Sequence, residues 1–115
     1  MELLCREATE LALSVICVPE IISALNRRVR QGSLSPGQYR EAKARLSAEV
    51  ADATIVNLVP TVIADAIGVL ETSPVRAMDA LHVACALQWN AGLFVSSDVR
   101  QLRAARQANL RTRKA

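Results

Sequence analysis

Residues 74–100 constrain the fold more than any other part of this chain, because they combine a helix, a glycine-containing turn and a buried strand. Ser73 and Pro74 predict the start of the helix, since a hydroxyl can cap it and Pro favours the first helical position. Residues 90–92, Asn-Ala-Gly, end it. Residues 93–95, Leu-Phe-Val, form a continuous apolar run, which is typical of a strand buried on both faces of a parallel sheet.

Strands and helices alternate along the rest of the chain, which favours an α/β fold with a parallel sheet. A length of 115 residues suits a single domain. The apolar residues of the helix predicted at residues 60–70 are expected to face inward: Val62, Ile63, Ala66, Ile67 and Leu70. Strands are predicted at residues 10–16, 54–59, 93–95 and 110–113, and helices at residues 17–31, 38–51, 60–70, 74–89 and 100–107, after the tail of a helix at residues 2–8.

The composition narrows the class of protein. Because 51% of the residues are hydrophobic, the chain should fold around a packed core. A net charge of +3 permits an anionic partner without requiring one, and one Trp, one Tyr and one Phe offer little surface for base stacking. The three cysteines, an odd number, are expected to be reduced and buried. The apolar run at residues 11–18 is too short to span a bilayer, so we expect a cytoplasmic protein.

Three acidic residues are predicted to meet at the carboxyl edge of the sheet, where open α/β folds bind their ligands. Asp79 lies near the start of one helix, Asp98 follows the strand at residues 93–95, and Glu20 lies one turn into the helix that leaves the first strand. Clustered carboxylates repel one another unless a cation neutralises them. Their oxygens suit Mg²⁺ or Mn²⁺, and such an ion serves phosphodiester hydrolysis.

Each of these residues also has an ordinary structural interpretation. Asp79 and Glu20 could be acids that stabilise a helix start through its dipole, and Asp98 could simply cap the next helix. His82, three residues after Asp79, could form a hydrogen bond with it or could be a satisfied, partly buried histidine. From spacing alone, both interpretations stay open.

Two stretches resemble a PIN domain. Residues 78–105, MDALHVACALQWNAGLFVSSDVRQLRAA, are similar to its carboxyl half, and residues 18–28, VPEIISALNRR, are similar to its earlier strand-to-helix segment. The chain looks most like the VapC-type toxins of that family. The resemblance implies a Rossmann-like three-layer α/β domain, with helices flanking a short parallel sheet, and an Mg²⁺/Mn²⁺-dependent endoribonuclease controlled by a VapB-type antitoxin. It assigns the second, third and fourth acidic positions to Glu20, Asp79 and Asp98, and a supporting hydroxyl to Ser96.

The chain departs from the PIN domain pattern at its N-terminal end. PIN domains begin with a strand that ends in D-[ST] and supplies a first metal-binding Asp, and nothing here matches it. We therefore expect an N-terminally incomplete domain without its central strand, between the strands at residues 10–16 and 93–95. Those two strands could pair directly with each other, a second chain could fill the gap between them, or the chain could be only marginally stable and prone to aggregate. A homodimer that pairs or swaps strands is the favoured solution. Glu2 is the nearest acid that could replace the absent Asp.

Basic residues could face RNA or a protein partner, in particular Arg27, Arg28 and Arg100. The same residues could form an ordinary solvated face. Two functions therefore stand: a toxin-type ribonuclease, or a catalytically weakened PIN-like domain that acts through an antitoxin, RNA or self-association. An enzyme acting on a small molecule is disfavoured, because no glycine-rich phosphate loop and no nucleophile motif is present.

Overall fold

Short strands and helices alternate in the computed structural model, which describes residues 10–115. The predicted helix tail at residues 2–8, Glu2 and Cys5 lie outside the described residues. In chain order the elements are β1 (Ala12–Ser14), α1 (Cys17–Arg30), α2 (Pro36–Val50), β2 (Thr54–Val56), α3 (Pro60–Thr72), α4 (Ala77–Trp89), β3 (Phe94–Ser96), α5 (Val99–Gln107) and β4 (Thr112–Lys114). The predicted α/β alternation is confirmed.

The strands pair in parallel, as predicted, but in two separate sheets. β1 pairs with β2, with Ala12 opposite Thr54, and β3 pairs with β4, with Phe94 opposite Thr112. Within residues 10–115, β1 and β3 are not hydrogen-bonded to each other. Direct closure of one strand on the other is therefore not the arrangement that the described part of the chain adopts.

The core lies mainly between α3 and α4. Every third or fourth residue of α3 is buried there, namely Val62, Ala66 and Val69. They meet Ala80 and Val83 of α4, and neither Val62 nor Val83 retains any exposed surface. Small side chains at this contact let the two helix backbones approach closely. α4 also packs against β1 and α5, so it is the element around which the other layers are arranged.

The outer face of α3 contradicts the sequence prediction. Ile63, Ile67 and Leu70 were expected to face inward, but they are 42%, 52% and 42% exposed. The helix is apolar on more than one side, and only the side that carries Val62 and Ala66 meets α4. Periodicity could not separate the two faces, because both repeat at helical spacing.

The start of α4 also differs from the prediction. Ser73 ends α3, where its backbone N–H donates to the carbonyl of Val69 over 2.9 Å. Its backbone is extended, as expected for a residue that precedes proline. Arg76 is the N-cap, and the helix begins at Ala77. This later start makes Asp79 the third residue of α4, where its carboxylate can reach the N–H of the cap.

Other local predictions are confirmed. The Ser35 hydroxyl accepts a hydrogen bond from the Gln38 N–H over 3.0 Å, which caps α2, and Asn90 ends α4 in the left-handed conformation with a φ of 59°. Cys17 and Cys85 are free and buried. In residues 10–115 no helix is both long enough and apolar enough to cross a membrane.

Candidate functional site

The buried side-chain amide of Gln101 links two of the predicted site residues, Asp79 and Ser96. Gln101, in α5, donates from Nε2 to Oδ1 of Asp79 over 2.7 Å. Its Oε1 accepts from the hydroxyl of Ser96, the last residue of β3, over 2.8 Å. All three side chains are buried. The structure therefore links Asp79 to Ser96 through Gln101, which was not among the predicted site residues.

Asp98 forms part of the same group and caps α5. Its Oδ1 accepts from the backbone N–H groups of Arg100, over 2.8 Å, and Gln101, over 3.4 Å. Its own N–H donates to the Ser96 hydroxyl over 3.0 Å. The capping interpretation of Asp98 is thus confirmed, and the cap fixes this carboxylate beside Ser96 at the end of β3.

Asp79 has a donor on each carboxylate oxygen. Oδ1 receives the Gln101 amide, and Oδ2 receives the N–H of Arg76 over 3.4 Å at the start of α4. The helix-start interpretation therefore also holds for this residue. It does not exhaust the role of Asp79, because the shorter and more buried hydrogen bond comes from α5.

Glu20 lies in a second group, around His82. Nε2 of His82 contacts Oε1 of Glu20, and Nδ1 lies 2.9 Å from the hydroxyl of Ser14. A carboxylate only accepts, so Nε2 of the ring donates to Glu20, while Nδ1 forms a hydrogen bond with the Ser14 hydroxyl. These contacts join β1, α1 and α4. Of the two interpretations of His82, the satisfied, buried histidine is confirmed, because Ser14 and Glu20 occupy both ring nitrogens in place of Asp79.

Burial makes the thiol that lies near Glu20 in α1 a weaker acid than an ordinary cysteine. Cys17 begins α1, three residues before Glu20, and is almost fully buried. Burial disfavours its thiolate and raises the pKa of this thiol to about 11, and the nearby Glu20 carboxylate acts in the same direction. Burial likewise raises the pKa of Cys85. Both thiols are therefore neutral at physiological pH and are poor nucleophiles.

The two groups are joined by α4, which carries Asp79 and His82 about one turn apart. In the part of the chain from residue 10 onward, no three acidic, His or Cys side chains converge closely enough to hold a metal ion. The donors still suit a hard divalent cation in kind, since Glu20, Asp79 and Asp98 offer carboxylate oxygens. Glu20 would have to exchange its contact with His82 to join the other two.

The predicted basic residues lie in two different helices. Arg27 and Arg28 are exposed in the last turn of α1, about two turns from Glu20. Arg100 is exposed in the first turn of α5, directly after the cap at Asp98. It lines a shallow depression with Arg103 and residues 73–75. Arg100 is therefore the predicted cation that lies closest along the chain to a predicted site carboxylate.

The sequence contains a pattern that could have indicated Gln101. It lies three residues before Ala104 and four before Ala105, and all three are buried on one face of α5. A polar residue on the apolar face of an amphipathic helix requires a hydrogen-bond partner. Its partners could not be identified from spacing, because Asp79 lies 22 residues away in the chain.

The fold and these residues define an α/β protein with an acidic, hydrogen-bonded group at the end of a parallel strand. The sequence pattern of the PIN domain matches residues 2–107. The chain therefore belongs to the PIN domain family, whose members are typically metal-dependent nucleases that use divalent ions. A comparison with curated proteins finds no match.

Proposed function

We propose that this chain is a VapC-like toxin, an Mg²⁺- or Mn²⁺-dependent endoribonuclease that a VapB-type antitoxin restrains in the cytoplasm. The observation that carries the proposal is the buried carboxylate of Asp79, linked through Gln101 to Ser96 and so to Asp98. Membership of the PIN domain family supports a metal-dependent nuclease. The order of the Glu20 segment and the Asp79–Asp98 segment supports the toxin type.

The three carboxylates of Glu20, Asp79 and Asp98 would hold the ion. When bound, a divalent cation in such a site neutralises phosphate charge and lowers the pKa of a water molecule. The protein's own contribution is to orient the oxygens. The cap at α5 holds Asp98 and the Gln101 amide holds Asp79. Glu20, in the first turn of α1, would exchange its contact with His82 for the ion.

Basic side chains would bind the nucleic acid. Arg100 follows Asp98 and is exposed, so it can contact a phosphate next to the bond that is cleaved. Arg27 and Arg28, farther along α1, can contact the flanking backbone or an acidic antitoxin segment. With one Phe, one Tyr and one Trp in the chain, contacts to phosphate would outweigh base stacking.

A homodimer is part of the proposal, and the outer face of α3 supports it. Val59, Ile63, Ile67 and Leu70 are each at least 40% exposed and recur at helical spacing. A contiguous apolar stripe of this kind is a common site of protein association. Exchange of a strand between copies would in addition supply a neighbour to β1 or β3, which lie in separate sheets in the described residues.

The second candidate is a PIN-like domain that binds an antitoxin, RNA or its own copy without cleaving. The pairing of Glu20 with His82 favours it, because this contact uses a carboxylate that the first proposal assigns to the cation. The two candidates make opposite predictions for cation binding by the acidic residues.

Calorimetric titration with Mn²⁺ tests the proposal. We expect the parent chain to bind the ion, and Asp79→Asn combined with Asp98→Asn to abolish binding, because each change removes a carboxylate charge and keeps the side-chain size. Asp65→Asn is the matched control, since it removes an exposed carboxylate on α3. Equal binding by the parent and the double variant would contradict the assigned ligands. Absence of binding by the parent would favour the second candidate.

A further inference from the structure

We propose that Gln101 is a positioning residue, whose side-chain amide holds the carboxylate of Asp79 in the orientation that the site needs. The inference rests on the proposed function and deepens it, because it assigns a role to a neutral residue outside the set of acids. Gln101 would contact neither the cation nor the RNA. It acts through Asp79.

The direction of each hydrogen bond around Gln101 is determined. The Asp98 N–H donates to the Ser96 oxygen, so the Ser96 hydroxyl hydrogen is available for Oε1 of Gln101. The amide nitrogen then faces Oδ1 of Asp79, which as a carboxylate oxygen can only accept. Three segments of the chain, the end of β3, the start of α5 and the first turn of α4, are thereby tied into one orientation.

The amide fixes Asp79 without neutralising it. Each oxygen of this buried carboxylate has one donor, from Gln101 and from the Arg76 backbone, and both donors are uncharged. A lysine or arginine in place of Gln101 would pair with the carboxylate and compete with a cation for it. A neutral donor leaves the full negative charge and orients the remaining lone pairs.

The two hydrogen bonds of Gln101 would be expensive to lose. Asp79 is 7% exposed, Ser96 is fully buried, and Gln101 itself is 7% exposed. Without the amide, Oδ1 of Asp79 would have to rotate toward water or take another donor, because a buried polar atom without a partner is unfavourable. A structural role alone would lower stability. A positioning role must also lower the affinity of the acidic site for a cation.

The chain offers a matched control on the same helix. Gln107 lies at the end of α5 and accepts a hydrogen bond from Ser73, away from Asp79. Gln101→Leu and Gln107→Leu therefore make the same chemical change on one helix. Gln101→Leu removes two hydrogen bonds of a buried side chain, and Gln107→Leu removes one of an exposed side chain. Gln101→Met, which keeps a long unbranched side chain, replaces Gln101→Leu if the latter does not fold.

The test is calorimetric Mn²⁺ affinity of the full chain, measured beside thermal unfolding and RNA cleavage. We expect Gln101→Leu to weaken Mn²⁺ binding by about tenfold or more, as for other groups that orient metal ligands, while Gln107→Leu binds like the parent. A folded Gln101→Leu or Gln101→Met with parental affinity would overturn the inference and leave the proposed function standing.

The other outcomes separate the two proposals. If the parent binds Mn²⁺, loses affinity in Gln101→Leu and cleaves no RNA, the positioning role stands and the ribonuclease activity is contradicted. If the parent binds no Mn²⁺, the inference falls, because it assigns Gln101 a role only in presenting Asp79 to a cation. Equal losses of affinity in Gln101→Leu and Gln107→Leu would assign the effect to a weakened α5 and would also overturn it.

Discussion

Two buried polar side chains hold two of the acidic side chains of this protein. The Gln101 amide binds Asp79, and the His82 ring contacts Glu20 and Ser14. Both residues are almost fully buried. Since each is bound at both ends, neither is free to choose another rotamer without leaving a buried polar atom unpaired. At the scale of single residues, the site is thus a set of carboxylates whose orientation depends on their neighbours.

The burial of Cys17 can be tested by the pH dependence of stability. Its raised pKa means that the fold favours the neutral thiol. The resulting stability is complete below the ordinary thiol pKa of 9.0 and is lost as the pH rises toward about 11. We therefore expect the parent to lose about 2 kcal/mol more unfolding free energy than Cys17→Ala between pH 8.5 and pH 11, at the usual 1.36 kcal/mol per pKa unit.

Denaturant unfolding of both proteins across this pH range measures the difference, and the variant accounts for the other groups that titrate there. Parallel curves for the parent and Cys17→Ala would show that the thiol ionises as easily in the folded chain as in the unfolded one. They would contradict its burial at the start of α1.

At the scale of elements, α3 is apolar on two faces but only one of them is covered within the described residues. Val62 packs against α4 without any exposed surface, whereas Ile67 is 52% exposed. The two residues differ by five positions on one helix and by a single methylene in size. Their environments, and hence the consequences of truncating them, are very different.

We expect Val62→Ala to lower the unfolding free energy by about 1–3 kcal/mol, because it opens a cavity between α3 and α4. Ile67→Ala should change it by less than about 1 kcal/mol at low protein concentration. Ile67→Asp should in addition shift a dimer toward monomer, because it places a charge in the apolar stripe. Denaturant titration and light scattering measure these effects. A stability loss in Ile67→Ala equal to that in Val62→Ala would place both faces in the core and contradict this fold.

Across the whole molecule, the structural features that the sequence predicted correctly are those that depend on residues close together in the chain. The alternation of elements, the cap at Ser35 and the left-handed end of α4 at Asn90 are local signals, and each is confirmed. The predicted start of α4 was wrong, because a Ser-Pro pair that can begin a helix can also follow the end of the preceding one, as Ser73 and Pro74 do here. Local sequence patterns predict whether a segment is a helix or a strand more reliably than they predict where it begins and ends.

The contacts that build the site could not be predicted in the same way. Glu20 and His82 are 62 residues apart, and Gln101 and Asp79 are 22 apart. Such pairs depend on how α1, α4 and α5 dock, which no periodicity specifies. Glu20, Asp79 and Asp98 could be proposed from the sequence because acids near helix starts and strand ends are local features. The amide and the imidazole that contact Asp79 and Glu20 became visible only in the folded chain.

Cleavage of a labelled RNA by the purified chain, measured with Mn²⁺ and with excess chelator, distinguishes a metal-dependent ribonuclease from a domain that only binds. We expect cleavage that requires the ion, persists in Asp65→Asn and falls to the background rate in Asp79→Asn. Cleavage that continues undiminished in chelator, or that is equal in the parent and Asp79→Asn, would contradict a metal-dependent ribonuclease built on these acids.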